Sequence, residues 1–105
     1  MKYQFTVIGI RWFDKVNGNT YHSVKIVNNL TGKIINSPMQ YGYGNTYRQT
    51  ALERMLEAGW IPEKYGIKNT NGSSNLYQFE RDNYYPIYWT VFDGLKRDCI
   101  NNREI

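Results

Sequence analysis

The sequence predicts an α+β fold: an antiparallel β-sheet in the order β-β-β-α-β-β, with one main helix packed on one face. Three observations carry this prediction. Residues 3–11 and 20–27 alternate around an Asn-Gly pair, residues 46–57 place apolar side chains at helical spacing, and residues 84–92 return to alternation. At 105 residues the chain has the length of a single domain, residues 1–105.

The first strand runs from Tyr3 to Arg11, with Tyr3, Phe5 and Val7 on one face and Gln4, Thr6 and Ile8 on the other. Ile8 makes the second face incompletely polar, so the strand is expected to be partly covered on both sides. Trp12 and Phe13 lead to Asn17-Gly18, a pair suited to the positive φ of a type I′ turn. Thr20 to Val27 returns as the second strand, and Asn28 to Gly32 turns into a third over Lys33 to Gln40. Pro38 cannot donate to a ladder, so this strand is placed at an edge or ends there.

Thr46 and Gln49 have the spacing of a capping box. Ala51, Leu52, Met55 and Leu56 then share one helical face, while Arg48, Gln49, Glu53 and Glu57 take the other. Gly59 is placed to end the helix in the left-handed conformation, and Pro62 blocks continuation, so Trp60 and Ile61 are expected to fold back onto the core. Asn69, Asn71, Gly72, Ser73, Ser74 and Asn75 read as an exposed loop. Leu76 to Arg81 and Tyr84 to Phe92 read as two further strands. Asp93-Gly94 is either another turn or a helix start, and Leu95, Cys99 and Ile100 favour a short C-terminal helix.

Aromatic residues make up 16% of the chain, so the core is expected to be built largely from rings whose polar tips need partners. Thirteen cations against nine anions give a net charge of +4, which favours acidic partners only weakly and argues against a mimic of nucleic acid. One cysteine, Cys99, excludes an internal disulfide or a thiolate metal cluster, and no cofactor or metal is expected. With no apolar leader after Met1 and no long apolar run, the chain reads as cytoplasmic and not membrane-bound. A homodimer is one further way to bury surplus rings.

No P-loop, GxSxG or HExxH pattern is present. His22 is the only histidine, and its strand neighbour Ser23 points to the opposite face, so the two cannot form a catalytic pair. Cys99 has no activating motif. An enzyme using His22 or Cys99 therefore ranks behind a binding protein. The candidate binding residues are Tyr41, Tyr43, Asn45, Tyr47 and Arg48, where a Gly-Tyr-Gly segment runs into the helix, together with Arg81, Lys96 and Arg97. Glycines there let backbone N–H groups approach an anion at the helix start. Tyrosine and arginine are favoured anchors of protein interfaces, and rings with cations also suit single-stranded nucleic acid.

Two resemblances add to this reading. The segment Gly-Tyr-Gly-Asn-Thr-Tyr-Arg-Gln-Thr-Ala after a sheet is similar to the last strand and second helix of double-stranded-RNA-binding domains, over residues 21–59. That family clamps phosphates with paired lysines at the helix start, where this chain has Tyr47 and Arg48, so Arg48 alone would carry over. The strings Arg11-Trp12-Phe13, Gly18-Asn19-Thr20-Tyr21-His22-Ser23-Val24 and Tyr41-Gly42-Tyr43-Gly44 resemble small bacteriophage-encoded proteins. That resemblance implies an accessory phage protein acting in the bacterial host cytoplasm, and raises the reading of a host-protein binder that inhibits a nucleic-acid-targeting defence system such as a CRISPR nuclease. Direct nucleic-acid binding is the alternative.

Overall fold

A computed structural model describes residues 3–66 and 76–102. Strands β1 (Phe5–Asp14) and β2 (Asn19–Asn28) form the central hairpin, followed by β3 (Ile34–Asn36) and β4 (Gln40–Tyr41). Helix α1 (Thr46–Glu57), a 3-10 turn (Glu63–Gly66) and helix α2 (Leu76–Asp82) come next, then β5 (Ile87–Asp93) and helix α3 (Lys96–Asn101). The strand order is β3-β2-β1-β5, with β4 pairing β2 beyond the end of β3. The α+β class and the main helix on one face agree with the sequence.

The hairpin register places Phe5, Val7, Gly9 and Arg11 beside Asn28, Ile26, Val24 and His22 on the face that α1 covers. From the helix, Tyr47, Ala51, Leu52 and Met55 meet Phe5, Val7, Val24 and Ile26 in the core. Each of the Val, Ile, Leu, Met and Phe side chains among these contributes about 1.5–3 kcal/mol when fully buried. Gly9 is part of this fit, because a Cβ there would stand 2.8 Å from Cδ2 of Tyr47. Trp60 and Ile61 do fold back: Ile61 is buried and Trp60 stacks on Phe5 at 5.8 Å between centroids.

The termination of α1 follows its sequence. Gly59 has φ 75°, its N–H donates to Leu56 O, and the Trp60 N–H donates to Met55 O, which is the paired Schellman arrangement. Its start does not. The N-cap residue Asn45 makes no side-chain capping bond, and the Thr46 hydroxyl donates backward to Tyr43 O at 2.7 Å. Gln49 bonds Glu53 instead, so the expected capping box is not formed.

Pro38 divides the third strand into β3 and β4, as a residue without an N–H should. Ser37 bridges the gap: its N–H donates to Val24 O, and its hydroxyl accepts from Val24 N. The β1–β2 turn is longer than a two-residue type I′ turn, and Gly18 alone within it has positive φ. Asp14 holds it by accepting from the N–H groups of Val16 and Asn17 and from the Asn17 side chain.

Two expectations fail after the main helix. Leu76 to Arg81 is helical, not a strand, because neither alternating set is apolar, whereas the i, i+3 pair Leu76 and Phe79 can face inward together. Phe79 is buried edge-to-face against Tyr65, whose hydroxyl donates to Asp82 at 2.7 Å. With that strand gone, the chain crosses behind the sheet and β5 enters beside β1 in parallel, Phe5 opposite Ile87. Ile87, Trp89 and Val91 face the core while Tyr88 and Phe92 are half exposed, so the alternation within β5 is as the sequence indicates. After Asp93-Gly94 the chain enters a helix. The Asn- and Ser-rich loop of residues 69–75 lies outside the described residues.

Replacing Gly9 with Ala should cost about 1–3 kcal/mol through overpacking against Tyr47, read as a lower urea midpoint with an unchanged slope. An unshifted midpoint would mean that the ring yields freely.

Candidate functional site

The two residues with catalytic potential are separated by the sheet. His22 is buried on the α1 face, with Nδ1 3.2 Å from Gly42 O and Nε2 2.7 Å from the Thr50 hydroxyl. A carbonyl can only accept, so Nδ1 carries the hydrogen and Nε2 accepts from Thr50, which satisfies the neutral ring. Burial lowers its pKa from 6.5, opposed by the bond to Gly42. Ser23 points the other way and donates to Cys99 O. Cys99 is buried, and burial raises its thiol pKa, against a lowering by the Ser23 hydrogen bond. Among the described residues no group of three or more His, Cys, Asp or Glu could hold a metal ion. No helix among them is long and apolar enough to cross a membrane.

An open cleft of about 630 Å³ lies at the end of the sheet where β1 and β5 finish. One wall is the β1–β2 turn, with Phe13 and Val16. The second is the Tyr43-Gly44 loop, and the third is the β5–α3 connection ending in Leu95. Arg11 ties the walls together: Nη1 donates to Gly44 O at 3.1 Å, and Nε donates to Asp93 at 3.2 Å. The loop is also held by Gly42, whose N–H donates to Thr20 O and whose carbonyl meets His22. A Cβ at Gly42 would lie 2.7 Å from Thr46 Cγ2 and 2.8 Å from His22 Cε1, so the close approach requires glycine.

Large apolar side chains stand open around this cleft. Val16 is 92% exposed, Tyr43 70%, Leu95 57% and Phe13 54%. Charges on its lining are balanced, with Arg11 and Lys15 facing Asp14 and Asp93.

The structure divides the sequence-derived candidates. Tyr43 is in the cleft, and Asn45 is exposed at the start of α1 close behind it. Tyr41 belongs to a ring row on the opposite sheet face, edge-to-face on Tyr21, which stacks on Trp12 at 5.6 Å. Lys96 lies 5.5 Å from the centroid of Trp12, so the facing surfaces of Trp12 and Tyr21 are already occupied. Arg97 is exposed on α3 and Arg81 on α2. Tyr47 is a correction: it is only 2% exposed and packs in the core, because its position in the first turn points at Gly9. Arg48 is also removed from the cleft. It pairs with Glu80 at 3.1 Å and lies 4.8 Å over Trp89.

Arg11, Phe13, Val16 and Leu95 were not among the candidates. Val16 carried a signal, since an apolar residue in a polar turn has no core to reach. Arg11 and Leu95 carried none, because their positions depend on the parallel placement of β5.

The His22 pKa is lowered on folding, so the unfolded chain binds the proton more readily. Its contribution to stability is complete above pH 6.5 and is lost as pH falls from there through the folded value. Urea midpoints at about pH 7.5 and about pH 5.5 should differ in the native chain, and H22Q should be less stable but lose most of that difference. An equal slope in H22Q would assign the titration elsewhere. Cys99 should resist thiol alkylation when native and react in urea, whereas rapid native labelling would contradict its burial. Comparison with protein-family models, curated proteins and solved structures finds no match to this chain.

Proposed function

We propose that this chain is a non-enzymatic binding protein whose cleft seats a segment of a protein partner. The observation that carries the reading is the ring of exposed Phe13, Val16, Tyr43 and Leu95 around the Arg11–Asp93 pair. Apolar and aromatic anchors around a polar centre are the usual content of an interface core. The balanced lining supports a protein over a polyanion, whose binding draws on unpaired cations. The self-stacked row of Trp12 and Tyr21 supports the same choice, since base stacking needs free ring faces. From the resemblance to phage-encoded proteins, we further propose a host protein that handles nucleic acid as the partner class.

A photo-crosslinking residue at Tyr43 or Leu95 should capture the partner from nuclease-treated bacterial lysate, whereas one at Leu30, exposed elsewhere, should not. With the captured partner, Y43A should weaken binding about thirtyfold, near 2 kcal/mol, as an interface anchor does. R48A should leave binding unchanged. Equal capture from Leu30, or binding that vanishes after nuclease treatment and falls steeply with salt, would overturn the proposal in favour of non-specific or nucleic-acid contact.

A further inference from the structure

Among the described residues, no element covers the backbone at the far edge of the sheet. Among the described residues β5 pairs only with β1, and its sequence from Ile87 to Phe92 contains no charge and no proline. Natural edge strands are ordinarily blunted by lysine, proline, a bulge or a covering element. The hydrogen bonds at the two ends of β5 fix its orientation: Pro86 O accepts from Gln4 N–H, and Gly94 N–H donates to Arg11 O. Backbone groups alternate in direction along a strand, so those of even-numbered residues face β1. Those of Ile87, Trp89, Val91 and Asp93 therefore point outward, and no backbone hydrogen bond within the described residues uses them.

We infer that β5 is a homodimer interface, pairing antiparallel with β5 of a second copy about a two-fold axis at Thr90. This register follows from the outward groups. Ile87 then faces Asp93 of the second copy, and Trp89 faces Val91, each as a hydrogen-bonded pair that exchanges two N–H···O bonds. Thr90 is the midpoint of the strand, so all seven residues overlap and every outward group finds a partner.

The side chains fit the same register. On the face away from α1, Tyr88 comes opposite Phe92 of the second copy in a non-hydrogen-bonded pair, where side chains are closest. Tyr88 is 52% and Phe92 49% exposed in the single chain, and Tyr3 extends the patch by packing edge-on against Tyr88 at 5.5 Å. On the α1 face, Asp93 of the second copy arrives beside Ile87, one two-residue step of about 7 Å from Trp89. The Arg48 guanidinium lies over that tryptophan. Arg48 already pairs with Glu80, and Asp93 with Arg11, so charge neither drives nor opposes this contact. A partner of the same sequence thus supplies the matching strand and the aromatic face.

Sedimentation of the full chain should show a dimer that dissociates on dilution. Thr90→Lys sets two like charges directly opposite each other and should raise the dissociation constant roughly tenfold while near-ultraviolet dichroism stays native. Thr90→Cys brings two thiols together across a pair whose Cα atoms are about 4.5 Å apart, within disulfide reach. It should form a covalent dimer on mild oxidation, while Leu30→Cys at a remote exposed position should not. A chain that is monomeric at all concentrations overturns the proposal. So does a dimer that Thr90→Lys leaves intact, or one in which Thr90→Cys crosslinks no better than Leu30→Cys.

Discussion

His22 ties the central hairpin and the glycine loop, which both line the cleft, to helix α1, which does not. It projects from the central hairpin, and one ring nitrogen holds the glycine loop while the other holds α1 through Thr50. Neither bond is exchangeable for water, because the ring is almost wholly buried, so losing one leaves a polar atom unpaired at about 1–3 kcal/mol. The loop can approach this closely only because Gly42 has no side chain. Tyr43 and Gly44 inherit their positions from that contact and from Arg11. The wall of the cleft is thus set by a buried imidazole that never reaches it.

Most fully buried core side chains are aliphatic, against the sequence expectation of a core built largely from rings, and most of the tyrosines lie at the surface. Rings fill the spaces between elements: Tyr47 on Gly9 and Trp89, Trp60 on Phe5, Phe79 between Tyr65 and Tyr85. Ring packing brings polar tips inside, and Tyr65 shows how one is accommodated. Its hydroxyl donates to Asp82, and burial together with that carboxylate pushes its pKa up to about 12, while the hydrogen bond holds Asp82 below the usual carboxylate range. A tyrosine that stays protonated is a permanent donor, so α2 is tied to the 3-10 turn across the ordinary pH range.

Local chemistry was legible in the sequence wherever one residue type decides the outcome. Gly59 with Pro62 ends α1, Pro38 breaks the third strand, and the split between Ile87, Trp89, Val91 and Tyr88, Phe92 gives the two faces of β5. What failed depends on choices that sequence leaves balanced. Leu76 to Arg81 has too few apolar residues to separate period two from period 3.6, and that one element decides whether β5 arrives by hairpin or crossover. The site inherited the error. Tyr43 was identifiable from its glycine-flanked loop, but Arg11 and Leu95 meet only when β5 runs parallel to β1. Tyr47 misled for a related reason: a tyrosine in a first helical turn faces outward unless a glycine on the facing strand makes room.

The cleft and the open edge of β5 meet at one residue, Asp93, and the strength of that link decides how far they act together. Asp93 closes the cleft floor through Arg11 and would come near Arg48 of a second copy at the edge. An ion pair with one partner so exposed is worth under about 1 kcal/mol, because water screens it and two side chains must be held still. Drawing Asp93 toward the edge therefore changes the cleft by less than the loss of one apolar anchor, at about 2 kcal/mol. The backbone pairing at Ile87, Trp89 and Val91 does not involve Tyr43, Val16 or Phe13 at all. The two surfaces are thus nearly independent in energy, and a chain paired along β5 would carry two clefts joined by one continuous sheet, with both copies of α1 on the same side.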